Sequence, residues 1–120
     1  MTAWPSGTVT FLMTDIEGST RMWEEHRAEM ANVLPRHDAL LEDAIARYNG
    51  LVVKRRLAGD SFMAVFVRAS EGVAAAAAAQ RTLTESRWPD VTPLRVRMAI
   101  HTGEAEPLGH DYFGTTVNHC

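Results

Sequence analysis

Two carboxylates stand where a hard cation could use them. Asp15 follows an apolar, β-branched run, Thr8–Met13, and precedes Gly18, Ser19, Thr20 and a helical pattern from Arg21. A strand that delivers a carboxylate to its C-terminal end, followed by small residues and a helix start, can hold a metal and a phosphate together. The carboxylate binds the divalent ion, and the first-turn N–H groups face the anion. The same residues also read as a plain capped helix, with Asp15 or Ser19 as the cap. Asp60 sits in Ala58-Gly59-Asp60-Ser61, which by itself is ordinary turn chemistry.

The elements that must position these groups follow from periodicity. Thr8–Met13 reads as a buried strand. From Ser19 to Asn49 the apolar residues, among them Met22, Met30, Val33, Leu41 and Ile45, recur at three- and four-residue spacings. Pro35 should break this segment into two helices, and Asn49-Gly50 should stop the second. Leu51–Leu57 and Phe62–Val67 read as a hairpin around the Gly59-Asp60 turn. A helix is expected over Ser70–Arg87, with Ser70 as N-cap and six consecutive alanines suited to close packing on a sheet. Leu94–His101 alternates as a half-buried strand. Thr102-Gly103 should turn the chain, Glu104–Leu108 suits another short strand, Gly109–Gly114 a loop, and Thr115–Cys120 the start of a helix.

This order of strand, helices, strand, strand, helix, strand is the split β-α-β arrangement of ferredoxin-like α+β sheets, with helices packed on one face. The first two strands then run parallel, with the third between them and antiparallel to both. The end of the first strand and the hairpin turn fall at one sheet edge, so Asp15 and Asp60 become neighbours. Two carboxylates at one edge repel unless a cation sits between them. Two ions about 3.5–4 Å apart would make a phosphoryl-transfer site.

Composition bounds the rest. A chain of 120 residues, 46% of them apolar, fits a single domain over 1–120 with its own core. The net charge of −3 is dispersed, with no basic face for nucleic acid. Cys120 is the one cysteine, which suits a reducing cytoplasm. Met1–Gly7 has no signal-peptide pattern, and Val73–Ala79 is too short to span a membrane. His101, His110, His119 and Cys120 are spaced too widely for a compact zinc motif. Trp23, Tyr48 and Trp88 are expected to pack in the core or at helix ends.

Four segments, Phe11–Thr20, Arg56–Phe62, His101–Gly103 and Asp111–Asn118, resemble in order the motifs of class III nucleotidyl cyclase domains. The flavour is similar to actinobacterial forms that open Gly-Thr-Val-Thr-Phe-Leu. The resemblance implies a two-chain enzyme with active sites at the dimer interface, formed with a second copy or another cyclase domain. It implies Asp15 and Asp60 as ligands of two Mg²⁺ or Mn²⁺ ions, helped by the backbone carbonyl of Ile16. The backbone of Glu17, Gly18, Ser19 and Thr20 would cradle the phosphates. The reaction would be in-line attack of the ribose 3′-hydroxyl on the α-phosphorus, with pyrophosphate leaving.

The resemblance also assigns base choice. Arg56 falls at the family's base-selecting lysine position and Asp111 at its second selector. A donor and an acceptor suit adenine, so ATP is favoured over GTP, although an arginine fork can also serve a guanine's acceptors. Lys54, two residues away on the same strand face, is available to a shifted register. Asn118 matches the asparagine that orients the ribose. The family carries a transition-state arginine four residues further on, and the sequence ends at Cys120. Without that charge the expectation is a very poor cyclase. The alternative is a degenerate cyclase-homology module that binds nucleotide or dimerises in a regulatory role. An unrelated ferredoxin-like binding domain is a third reading. Loss of the later strands should expose a sheet edge and favour pairing with another chain.

Overall fold

β1 (Gly7–Ile16) is the middle strand of a five-stranded sheet, and the other elements are arranged on it. The computed structural model describes residues 5–55, 61–108 and 111–113. After β1 come α1 (Ser19–Glu25), α2 (Arg27–Arg47), β2 (Leu51–Arg55), β3 (Phe62–Phe66), α3 (Ala69–Glu85), β4 (Val96–Leu108) and β5 (Asp111–Phe113). The strand order is β2-β3-β1-β4-β5, and every neighbouring pair is antiparallel. β1 and β2 are therefore parallel with β3 between them, as the split β-α-β pattern requires.

The apolar middle of β1, Phe11-Leu12-Met13, has a simple cause: both faces of the strand are covered. Leu12 and Ile16 join the core under the helices, with Met30, Leu41, Ile45, Phe62, Phe66 and Ala79. Val9 and Phe11 join a second core on the opposite face with Val53, Met63, Val65 and Ala105. Burying a side chain such as Phe11 contributes about 1.5–3 kcal/mol, so both faces hold β1 in register. α3 presents Gly72, Ala75, Ala79 and Leu83 inward at three- and four-residue spacing. Its small residues bring it close enough that a Cβ on Gly72 would stand 3.0 Å from Thr10 Cγ2. Trp23, Tyr48 and Trp88 pack against the helix-side core, as expected.

The helix stop at Asn49-Gly50 is a Schellman motif. Asn49 adopts φ 65°, its N–H donates to Ala46 O at 3.1 Å, and the Gly50 N–H donates to Ile45 O at 2.8 Å. Four local expectations are corrected. There are two helices after β1, but they part at His26 (φ −138°, ψ 50°), and α2 runs through Pro35. Pro35 and Ala31, whose carbonyl loses its partner to the ring, both lie on the solvent face where water can satisfy that carbonyl. Arg68 rather than Ser70 is the N-cap residue of α3, with no side-chain cap. Thr102-Gly103 does not turn: β4 continues to Leu108 because β1 offers partners as far as Gly7, pairing Thr10 with Thr102 and Val9 with Gly103. Asp111 opens β5 opposite Leu108 rather than lying in a loop.

Candidate functional site

Asp15 sits one residue before the C-terminal end of β1, on the face turned away from the helices. Alternation puts it there, since Ile16, its neighbour, is 2% exposed in the helix-side core. With its side chain buried, Ile16 has only backbone to offer a ligand at this edge.

The register of β1 with β4 sets Asp15 directly opposite Arg97. The Arg97 fork donates through Nε to Oδ1 and through Nη2 to Oδ2, each at 2.7 Å. Both side chains are solvent-accessible, 42% for Asp15 and 65% for Arg97. The guanidinium pKa is raised above its ordinary value, first by the hydrogen bond it donates to Asp15, then by the charge of that carboxylate, against slight desolvation; Glu17 adds a smaller attraction. Asp15, Arg97, Met13, Ala99 and Ser61 line an open cleft of about 220 Å³.

Beyond Asp15 the chain turns sharply into α1. The Glu17 N–H donates to Arg95 O at 2.8 Å, tying the turn to the chain entering β4. Gly18 adopts φ 70°, ψ 20°, a left-handed conformation, and is the N-cap residue without any side-chain cap. Neither Asp15 nor Ser19 therefore caps the helix; the Asp15 carboxylate is turned to Arg97 instead. The first helical bond runs from Met22 N–H to Gly18 O at 3.1 Å. The amides of Ser19, Thr20 and Arg21 precede it and belong to the first turn, which has no intrahelical acceptors to offer them.

The sequence-predicted residues are thus only partly brought together. Asp15, Ile16, Glu17, Gly18, Ser19 and Thr20 form one continuous edge. Thr14 pairs with Phe62, so β3 begins beside the end of β1, and Ser61 shares the cleft with Asp15. Asp60, Arg56 and Asn118 lie outside the described residues. Of the base-reading candidates, Asp111 holds the first position of β5, and Lys54 is paired with Met63 just after a register shift that follows Val52.

A model of the adenylate and guanylate cyclase catalytic domain matches residues 1–120. The chain belongs to this cyclase catalytic-domain family. It is 38% identical over 114 residues to an uncharacterized protein of Mycobacterium tuberculosis, covering 95% of this chain and 38% of that protein. A receptor-type adenylate cyclase of Trypanosoma congolense is 31% identical over 152 residues, 92% of this chain and 20% of the relative. The structure of an adenylate cyclase from Trypanosoma brucei in its monomeric state superposes with a TM-score of 0.83 at 28% identity, covering 98% of this chain and 68% of that one. The chain spans well under half the length of these curated relatives.

Class III cyclases are generally metal-dependent; among the described residues no group of three or more His, Cys, Asp or Glu side chains comes together to hold an ion. Asp15 stands at the mouth of the cleft with both carboxylate oxygens accepting from the Arg97 guanidinium. Arg97 is a participant that sequence reasoning missed. It reads there as a polar-face residue of an alternating strand. The signal that could have found it is that an antiparallel neighbour of β1 beginning near Val96 must put its first outward residues beside Asp15.

Proposed function

We propose that this chain is a nucleotidyl cyclase domain that converts ATP to 3′,5′-cyclic AMP and pyrophosphate, working as a homodimer or with another cyclase domain. The observation that supports the reading best is the conjunction at the end of β1: an accessible carboxylate, then a left-handed Gly18, then a helix start. An adenylate cyclase among the relatives favours ATP over GTP.

In this reading Asp15 and Asp60, with the Ile16 carbonyl, hold two Mg²⁺ or Mn²⁺ ions. When bound, the ions neutralise phosphate charge and activate the ribose 3′-hydroxyl. The 3′-oxygen gives up its proton to solvent water and bonds to the α-phosphorus as the bond to the pyrophosphate oxygen breaks, pyrophosphate leaving with that electron pair. The first-turn amides of Ser19 and Thr20 face the phosphates, and Gly18 sets their direction. Glu17 anchors the turn through its amide rather than offering that N–H to the ligand. Arg56 and Asp111 read the base, and Asn118 orients the ribose.

A second reading is a cyclase-homology module that binds nucleotide or dimerises without turnover. The closed Asp15–Arg97 pair favours it, because the carboxylate is already satisfied. The deciding experiment is product formation from ATP and from GTP with Mn²⁺, on the chain and on Asp15→Ala. Cyclic AMP that disappears in the variant, and on chelation of the metal, supports the enzyme. Mn²⁺-dependent ATP binding lost in the variant, with no product, selects the module. An outcome with neither product nor binding rejects the enzyme and the nucleotide-binding module and leaves the fold, with a dimerising role read separately by light scattering.

A further inference from the structure

We propose that Asn49 is a site of spontaneous deamidation, that Glu71 holds it in check in the folded chain, and that its loss turns an attractive contact between α2 and α3 into a repulsive one.

The fold imposes a labile dipeptide here. Asn49 closes α2 at φ 65°, a left-handed conformation that asparagine tolerates better than most residues with a Cβ. Gly50 must follow it, because a Cβ there would stand 2.4 Å from Phe66 Cε2. Asparagine is a thermolabile residue, and a glycine after it leaves the next backbone nitrogen unshielded. In deamidation the Gly50 nitrogen gives its proton to water and bonds to Asn49 Cγ. The Cγ–Nδ2 bond breaks, and ammonia leaves with that electron pair after taking a proton from water. A second water then opens the cyclic imide at either carbonyl, giving aspartate or isoaspartate. Asn49 is exposed, so water is at hand.

Two hydrogen bonds oppose ring closure. The Gly50 N–H donates to Ile45 O at 2.8 Å, so the attacking nitrogen is engaged. Asn49 Nδ2 donates to Glu71 Oε2 at 2.6 Å, which commits the side-chain amide to the first turn of α3. The first bond belongs to the helix stop itself. The second is a contact between residues 22 apart and can be removed alone. The product reverses it: the new carboxylate has no proton to donate and sets its charge against that of Glu71. Isoaspartate also lengthens the backbone by a methylene, where Gly50 packs against Phe66 and Ile45.

The test is the rate of Asn49 loss in the full chain at mildly alkaline pH, read by mass spectrometry of the tryptic peptide Tyr48–Lys54, whose sole asparagine is Asn49. Asn32, followed by the β-branched Val33, is the internal reference. The folded parent should lose Asn49 more slowly than the same chain in urea. Glu71→Ala should raise the folded rate about threefold to tenfold, the factor by which one hydrogen bond to a charged group restrains local opening. Arg36→Ala, weakened at the Trp88 contact instead, should keep the parent's rate. Asn49→Asp should lower the urea midpoint, and should lower it less in a Glu71→Gln background, where the opposing charge is gone. A folded parent that loses Asn49 as fast as the chain in urea overturns the proposal. So does a Glu71→Ala rate no higher than that of Arg36→Ala. Equal midpoint losses in the two Asn49→Asp backgrounds overturn the repulsion. Should Glu71→Ala not fold, as judged by circular dichroism, Glu71→Asp, a methylene shorter in reach, decides by the same criterion.

Discussion

Asp15 and Arg97 face each other across β1 and β4, with the guanidinium fork of one closed on both oxygens of the other at 2.7 Å. Geometry this regular usually suggests a structural staple, but exposure argues otherwise. Both groups are in contact with water, where an ion pair gains little over hydration. Arg97→Met should therefore move the thermal unfolding midpoint by less than about 3 °C at physiological salt. A fall of 10 °C or so in differential scanning calorimetry would make the pair a fold determinant and weaken its reading as part of the site.

That pair also marks the boundary of what the sequence alone can say. β1 is readable because burial on both faces favours a run of β-branched and apolar residues, Thr8–Met13. The end of α2 was readable because Asn49-Gly50 satisfies the last carbonyls through its own backbone. The split β-α-β order carried the parallel relation of β1 and β2, and so the edge on which Asp15 stands. What escaped depends on partners far away in the chain. β4 continues through Thr102-Gly103 only because β1 lies alongside. α2 tolerates Pro35 only because that face is wet. Arg97 becomes a site residue only through an 82-residue separation that no local pattern contains.

Gly50 is held by a close approach rather than by its backbone angle. A Cβ there would stand 2.4 Å from Phe66 Cε2 and 2.9 Å from Ile45 Cγ2. Both neighbours are buried in the helix-side core and cannot retreat into solvent. Gly50→Ala should cost about 1–3 kcal/mol, the range for overpacking, read as a lower urea midpoint. Gly72→Ala is the contrast. Its tightest contact is 3.0 Å to one methyl of Thr10, and a helix gains about 0.5–1 kcal/mol from alanine over glycine. The two terms nearly cancel, so Gly72→Ala should leave the midpoint close to the parent's. Equal losses at both positions would contradict this account.

Arg36 links the two long helices on the helix side of the sheet. Its guanidinium lies 5.0 Å from the Trp88 ring centroid and its Nη1 donates to Arg87 O at 3.0 Å. The indole N–H in turn donates to Leu83 O at 2.9 Å, closing the end of α3. Arg36→Ala should lower stability by about 0.5–1 kcal/mol and alter tryptophan fluorescence. Mn²⁺ binding should be unchanged, because Arg36 lies on the helix side and Asp15 on the opposite face of the sheet. A loss of metal affinity in Arg36→Ala would mean that the two faces are coupled.

Gly18 is the hinge between the carboxylate and the first-turn amides, and its role is separable from packing. Nothing lies within 4 Å of where a Cβ would be, so any penalty comes from its φ of +70° alone. L-residues pay about 1–2 kcal/mol in that conformation, and asparagine tolerates it best. Gly18→Val should therefore lose about that much stability or relax the turn, shifting the Ser19 and Thr20 amides away from the cleft edge. Gly18→Asn should stay close to the parent in both respects. If the amides contact phosphate, Gly18→Val weakens Mn²⁺–ATP binding much more than it weakens Mn²⁺ binding alone, whereas Asp15→Asn removes both. Equal weakening of the two by Gly18→Val would mean that the turn positions the carboxylate rather than the phosphates, and the cradle assigned to the α1 start would be withdrawn.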